Sequence, residues 1–152
     1  MDKVARLSQK DRSDLLAETA AAMRTTPAIT EKDFWVVWVL SRIFANADLA
    51  RILKFKGGTS LSKAFNLIGR FSEDIDLILD WREVTQGNPH AERSKSQQIK
   101  FNEATNAEAI KYIDTVLFPQ VQRCVPASTL PCPLPPWMRR LKPYSVSAHL
   151  SY

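Results

Sequence analysis

Histidine and cysteine are scarce, two of each in 152 residues. His90 and His149 have no neighbours at metal-ligand spacing, so neither is given a role. No paired Cys-x-x-Cys occurs, and two cysteines do not make a disulfide framework. There is no Walker lysine pattern and no Ser/His/Asp arrangement, which sets aside P-loop hydrolysis and triad chemistry. No apolar run approaches the length of a membrane span. The N-terminus lacks the charged-then-apolar pattern of an export signal, so a reducing cytoplasm is the expected location. Acidic residues are missing from one region. Residues 121–152 hold 4 Lys+Arg and no Asp or Glu, whereas residues 1–120 hold 17 against 16. The net charge of +5 is therefore mostly a property of the tail. It gives little support to nucleic-acid binding by the folded part.

What the chain does have is concentrated between Phe55 and Asp80. Residues 52–56, Ile-Leu-Lys-Phe-Lys, read as a short strand bounded by Gly57-Gly58. Adjacent glycines permit backbone angles that side chains forbid and let a ligand approach the main chain. Leu61, Ala64, Phe65 and Ile68 then mark one face of a helix that starts at Thr59 or Ser60, and Gly69 stands where it stops. Unpaired N–H groups and the helix dipole favour an anion at such a start. Lys63, about one turn in, is placed to reach a phosphate. An ordinary capped strand–turn–helix with no ligand is the alternative.

Asp74 and Asp76 follow on the next predicted strand, alternating with Ile75, Leu77 and Leu79. Residues two apart on a strand share a face. The two carboxylates are about 6.6 Å apart along it, close enough to hold one metal ion or a pair. Asp80 shares the face but lies about 13 Å beyond Asp76, too far to join the same ion. A solvated strand face, or pairing with Lys and Arg, is the competing account. Together the glycine turn and the aspartates suggest a site for a nucleoside triphosphate and a divalent metal.

A Gly-Gly turn opening a helix, followed by Asp-x-Asp on the next strand, resembles the polymerase-beta-like nucleotidyltransferase superfamily. FKGGTSLSKAFNLIGRFSEDIDLIL, residues 55–79, resembles more closely the AbiEii-type nucleotidyltransferase toxins of type IV toxin–antitoxin and phage abortive-infection systems. ITEKDFWVVWVL at 29–40 and RSKSQQIKFNEATN at 93–106 resemble the family's flanking stretches, so the likeness spans residues 8–120. The resemblance implies a mixed α/β (α+β) fold, in which a small sheet carries the Phe55 and Asp76 strands with helices packed on one side. It implies that Asp74 and Asp76 hold Mg²⁺. It implies that Gly57, Gly58, Thr59 and Ser60 cradle the triphosphate, and that Lys63 offsets developing charge. The acceptor it implies is an RNA, tRNA among them, or a protein hydroxyl, and a cognate antitoxin is an implied partner. A non-catalytic fragment that binds nucleotide or antitoxin, and a small-molecule, antibiotic-modifying transferase, are the other functions compatible with the motif.

Around this centre, helices are expected. Ser8 and Asp11 resemble a capping box, and Leu16, Ala20 and Met23 continue a helix over 8–24. Thr25-Thr26-Pro27 ends it. Thr30 is expected to cap a second helix over 31–45, apolar nearly all round and so buried. Trp35 and Trp38 within it could stack a base, but packing a core is the commoner use of such residues. Residues 81–92 read as a loop broken at Gly87-Asn88-Pro89. Ser94 and Gln97 form a capping box for a long helix ending at Phe118, before Pro119. Its expected buried stripe is Ala109, Ile110, Ile113, Val116 and Leu117. Arg93, Lys95 and Lys100 on its first turns are either phosphate contacts or a solvated basic face.

Residues 124–152 hold six of the nine prolines and show no periodicity. The family pattern, with a third acidic residue and further basic residues of the site, is expected to continue through strands and helices not visible here. The expected organisation is thus a nucleotidyltransferase part over 1–120, incomplete at the C-terminus, and a Pro-rich tail over 121–152. That tail is read as truncated or frame-shifted, with a partner-binding disordered segment as the alternative.

Overall fold

The computed structural model describes residues 1–58 and 75–126. Six helices surround a two-stranded antiparallel sheet among those residues, a mostly helical mixed α/β fold. Helix α1 (Asp2–Ala5) is one turn, and α2 (Gln9–Ala22) follows. As expected, the Ser8 hydroxyl caps α2. It accepts from the Asp11 N–H at 3.1 Å and donates to the Asp11 carboxylate at 2.7 Å. Arg12, Leu16 and Ala20 make the buried stripe of α2, while Met23 is 66% exposed rather than part of it. Arg24 closes the helix in the left-handed region, at φ 54°. The Thr25 and Arg24 N–H groups fold back on the Ala20 and Ala21 carbonyls there.

Helix α3 (Pro27–Phe44) begins earlier than expected. Thr26, not Thr30, is its cap: the Ile29 N–H donates to the Thr26 hydroxyl at 3.3 Å. Pro27 fills the first helical position, where the missing N–H costs nothing. Thr30 is buried inside the helix and donates its hydroxyl to the Thr26 carbonyl. Trp35, Val36, Trp38, Leu40 and Ile43 of α3 are buried, so the tryptophans serve the core and not a base. Two edge-to-face ring contacts, Phe34–Trp35 and Trp35–Trp38, order them. Arg12 lays its guanidinium over Trp35 and donates to the Leu7 carbonyl at 3.0 Å, which fixes the α1–α2 corner. Trp38 donates its indole N–H to the Asp2 carboxylate at 2.8 Å, and so holds α1 on α3.

A short helix that the sequence reading did not anticipate, α4 (Ala47–Ile52), leads into the sheet. The Asn46 side chain caps it by accepting from the Leu49 N–H. Strand β1 (Leu53–Lys56) then pairs with β2 (Asp76–Leu79). Leu53 of β1 and Leu77 and Leu79 of β2 pack on a cluster of Ile43, Leu49, Ile52, Ile113 and Leu117, as the alternation in the sequence requires. Beyond β2 the chain makes a 3-10 turn, Trp81–Glu83. Arg51, just before β1, and Glu83, just after β2, form an ion pair at 2.7 Å that ties the two ends of the hairpin together.

The Ser94–Gln97 capping box is complete and starts α5 (Lys95–Tyr112). The helix does not stop at Pro119. It passes through a π turn (Ile113–Leu117) into α6 (Phe118–Cys124). Proline lacks an N–H and crowds the carbonyl four residues back. A widened turn just before it lets the helix continue without that bond. The buried stripe is Thr105, Ala109, Ile113 and Leu117 at spacing four, whereas Ile110 is 57% and Val116 36% exposed. Val121, Cys124 and Val125 also pack on the core. The 120/121 boundary drawn from the sequence thus falls inside α6.

Candidate nucleotide site

The site is built on the end of the hairpin. Asp76 opens β2 and is exposed, and the register sets Lys56 opposite it. Gly57 follows Lys56 with φ 86°, a conformation that L side chains rarely adopt. The helix predicted to start at Thr59 or Ser60 lies outside the described residues. The Asp76 carboxylate lies directly against Gly57. A Cβ built there would collide with Asp76 Oδ2 and stand 2.9 Å from its Cγ. Gly57 therefore has two separate reasons to be glycine, its backbone angle and the carboxylate beside it.

Of the predicted site residues, Gly57, Gly58 and Asp76 are brought together at this corner. Thr59, Ser60, Lys63 and Asp74 lie outside the described residues. Asp80 is taken up by the turn that follows the strand. It follows β2, donates its N–H to the Ile52 carbonyl at 2.8 Å and caps the 3-10 turn. Its carboxylate accepts from the Arg82 N–H and guanidinium, and these bonds hold its pKa below the ordinary range despite partial burial.

The basic residues of α5 divide. Arg93 is engaged by the fold: its guanidinium donates to the Asn88 carbonyl at 2.8 Å and to the Ala91 carbonyl, and sits 4.0 Å from the Phe101 ring centroid. It is a loop clasp and not a phosphate contact. Lys95 and Lys100 are exposed. The sequence reading passed over Lys56. Strand alternation puts Lys54 and Lys56 on one face, but only the observed register shows which of them faces Asp76.

The donor chemistry at the corner suits a hard divalent cation. An exposed carboxylate supplies oxygen, and the missing side chain of Gly57 leaves the room that this carboxylate occupies. Among the described residues no group of three or more His, Cys, Asp or Glu is placed to hold a metal ion. Nor, among them, is any helix long and apolar enough to cross a membrane.

An exposed acid against a glycine corner sits on the small sheet of a mostly helical, mixed α/β domain. Residues 38–138 match the family described as nucleotidyl transferase AbiEii toxin, type IV TA system, and the chain belongs to that family. The match begins within α3 and runs past α6 into the Pro-rich stretch. No curated protein and no solved structure matches the chain.

Proposed function

We propose that this chain transfers a nucleotide from a nucleoside triphosphate to an acceptor hydroxyl on RNA, with tRNA the first candidate. The observation that carries the reading is the Asp76 carboxylate seated on Gly57 at the mouth of the hairpin, in a chain of this toxin family. Asp76, with Asp74 two residues before it, would hold Mg²⁺. The metal, when bound, withdraws charge from the phosphate oxygens and orients them for in-line displacement. Gly57 and Gly58 would bring main chain without side-chain bulk close to the phosphates, and Thr59 and Ser60 would add hydroxyl donors. Lys63 offsets negative charge on the departing pyrophosphate. The acceptor oxygen forms a bond to the α-phosphorus as the bond to pyrophosphate breaks. The hydroxyl proton passes to solvent or to a base. Such chemistry is mostly positioning and electrostatics. The toxin family also implies an antitoxin partner.

The test is incubation with each labelled nucleoside triphosphate, Mg²⁺ and total RNA. Label is expected on RNA with the wild-type chain, and Asp74→Ala and Asp76→Ala are expected to lower transfer at least a hundredfold. Label on protein instead would reassign the acceptor, and label on an aminoglycoside alone would select the antibiotic-modifying reading. Equal transfer by wild type and both variants would end the proposal.

A further inference from the structure

The hairpin register gives work to a residue that the reading above leaves idle. Lys56 is the last residue of β1, directly opposite Asp76 and immediately before Gly57. Opposed residues on antiparallel strands have Cβ atoms about 4.5–5.5 Å apart on the same face. Both side chains are exposed. Lys54, the other lysine of that face, pairs with Ile78 and lies one full strand repeat further from the corner.

Three ion pairs of the described residues are made by arginines: Arg42 with Asp2, Arg51 with Glu83, and Arg82 with Asp80. Lys56 takes part in none of them. An ammonium beside a metal-binding carboxylate would repel a bare cation. It is suited to a ligand that carries more negative charge than the cation cancels, and a triphosphate with one bound divalent ion is such a ligand. Lysine also suits a phosphate contact that must form and release, being a mobile point charge on a flexible stem.

We infer that Lys56 binds the polyphosphate: its ammonium donates to a non-bridging phosphate oxygen of the nucleotide held at the Asp76–Gly57 corner. In the free protein the same charge offsets that of Asp76. This rests on the nucleotidyl-transfer reading of the corner. It makes Lys56 a binding residue of that site, entering from the strand side.

The experiment is calorimetric titration of the full chain with inorganic tripolyphosphate and Mg²⁺, a probe free of base and ribose. Lys56→Ala is expected to weaken binding about tenfold, and Lys56→Arg to recover most of it. Lys54→Ala is expected to stay within about twofold of wild type, with all melting temperatures alike. With labelled nucleotide, Lys56→Ala is expected to raise KM and leave kcat nearly unchanged. If Asp76→Asn abolishes binding but Lys56→Ala binds like wild type, the inference about Lys56 is wrong and the corner stands. An equal loss in Lys54→Ala and Lys56→Ala would also overturn it, pointing to the general field of the face. If the wild-type chain binds no tripolyphosphate in Mg²⁺, the corner reading falls and Lys56 falls with it.

Discussion

Gly57 is where backbone and chemistry meet. A side chain there would suffer twice, from φ 86° and from the Asp76 carboxylate in its path. Replacing it by alanine forces either the turn or the aspartate to move. Gly57→Ala is expected to destabilise the fold by about 1–3 kcal/mol, the usual scale for a side chain in a disallowed backbone region. Urea denaturation at constant slope measures it, and a midpoint equal to wild type would mean that the corner is looser than described. The glycine pair and the aspartate were legible as letters because each is a residue type with few uses in its position. Arg93 was not. In the sequence it is one more cation ahead of a helix. Only the folded loop shows its guanidinium spent on the Asn88 and Ala91 carbonyls and the Phe101 ring.

At the scale of elements, legibility followed how local the determining contact is. Ser94 and Gln97 satisfy each other within one turn, and the capping box stands as read. Leu77 and Leu79 alternate on β2 and face the core as read. Helix α4 escaped because six residues carry too little periodicity to register, although Asn46 ahead of it was a cap signal. The start of α3 differs from the Thr30 expectation because Thr26-Pro27, a helix-breaking pair after α2, also caps and opens the next helix. The π turn before Pro119 depends on Val121 and Cys124 packing on the core, a tertiary gain invisible locally. Helix α1 is a single turn and has no stability of its own. It is held by the Asp2 carboxylate, which accepts from the Trp38 indole and faces Arg42. The Trp38 hydrogen bond is the largest influence and depresses the Asp2 pKa; burial opposes it, and the charges of Arg42, the N-terminus and Arg6 each add a smaller depression. A depressed folded value means the contact stabilises fully above the ordinary carboxylate range and loses its contribution as pH falls through the folded value. Acidification is thus expected to release α1 before the body unfolds. Faster amide exchange at residues 2–5 and a change in Trp38 fluorescence would report it. Asp2→Asn should remove the pH dependence, and its persistence in that variant would show that another group is responsible.

For the molecule as a whole, two apolar clusters make the core, and the first of them joins the helices to the hairpin. One is centred on Leu49 and Ile113, the other on Trp35 and Trp38. Val39 and Val125 touch both. Val125 lies beyond the boundary that composition suggested at residue 120. Composition shifts there because basic residues and prolines begin to accumulate, yet burial is decided by which side chains reach the core. Val121, Cys124 and Val125 reach it, and Arg42 donates to the Cys124 carbonyl at 3.2 Å across the same seam. The family match, which runs to residue 138, also crosses that boundary. A chain ending at residue 126 and one ending at residue 120 differ only in this segment. Losing three half-buried apolar side chains, at roughly 1 kcal/mol each by buried area, is expected to cost the shorter chain about 3 kcal/mol. Urea midpoints of the two chains measure the difference. Coincident midpoints would place the end of the cooperative unit at residue 120 after all. A lower midpoint for the shorter chain would extend that unit through α6, and with it the support beneath the β1–β2 hairpin on which Asp76 and Gly57 meet.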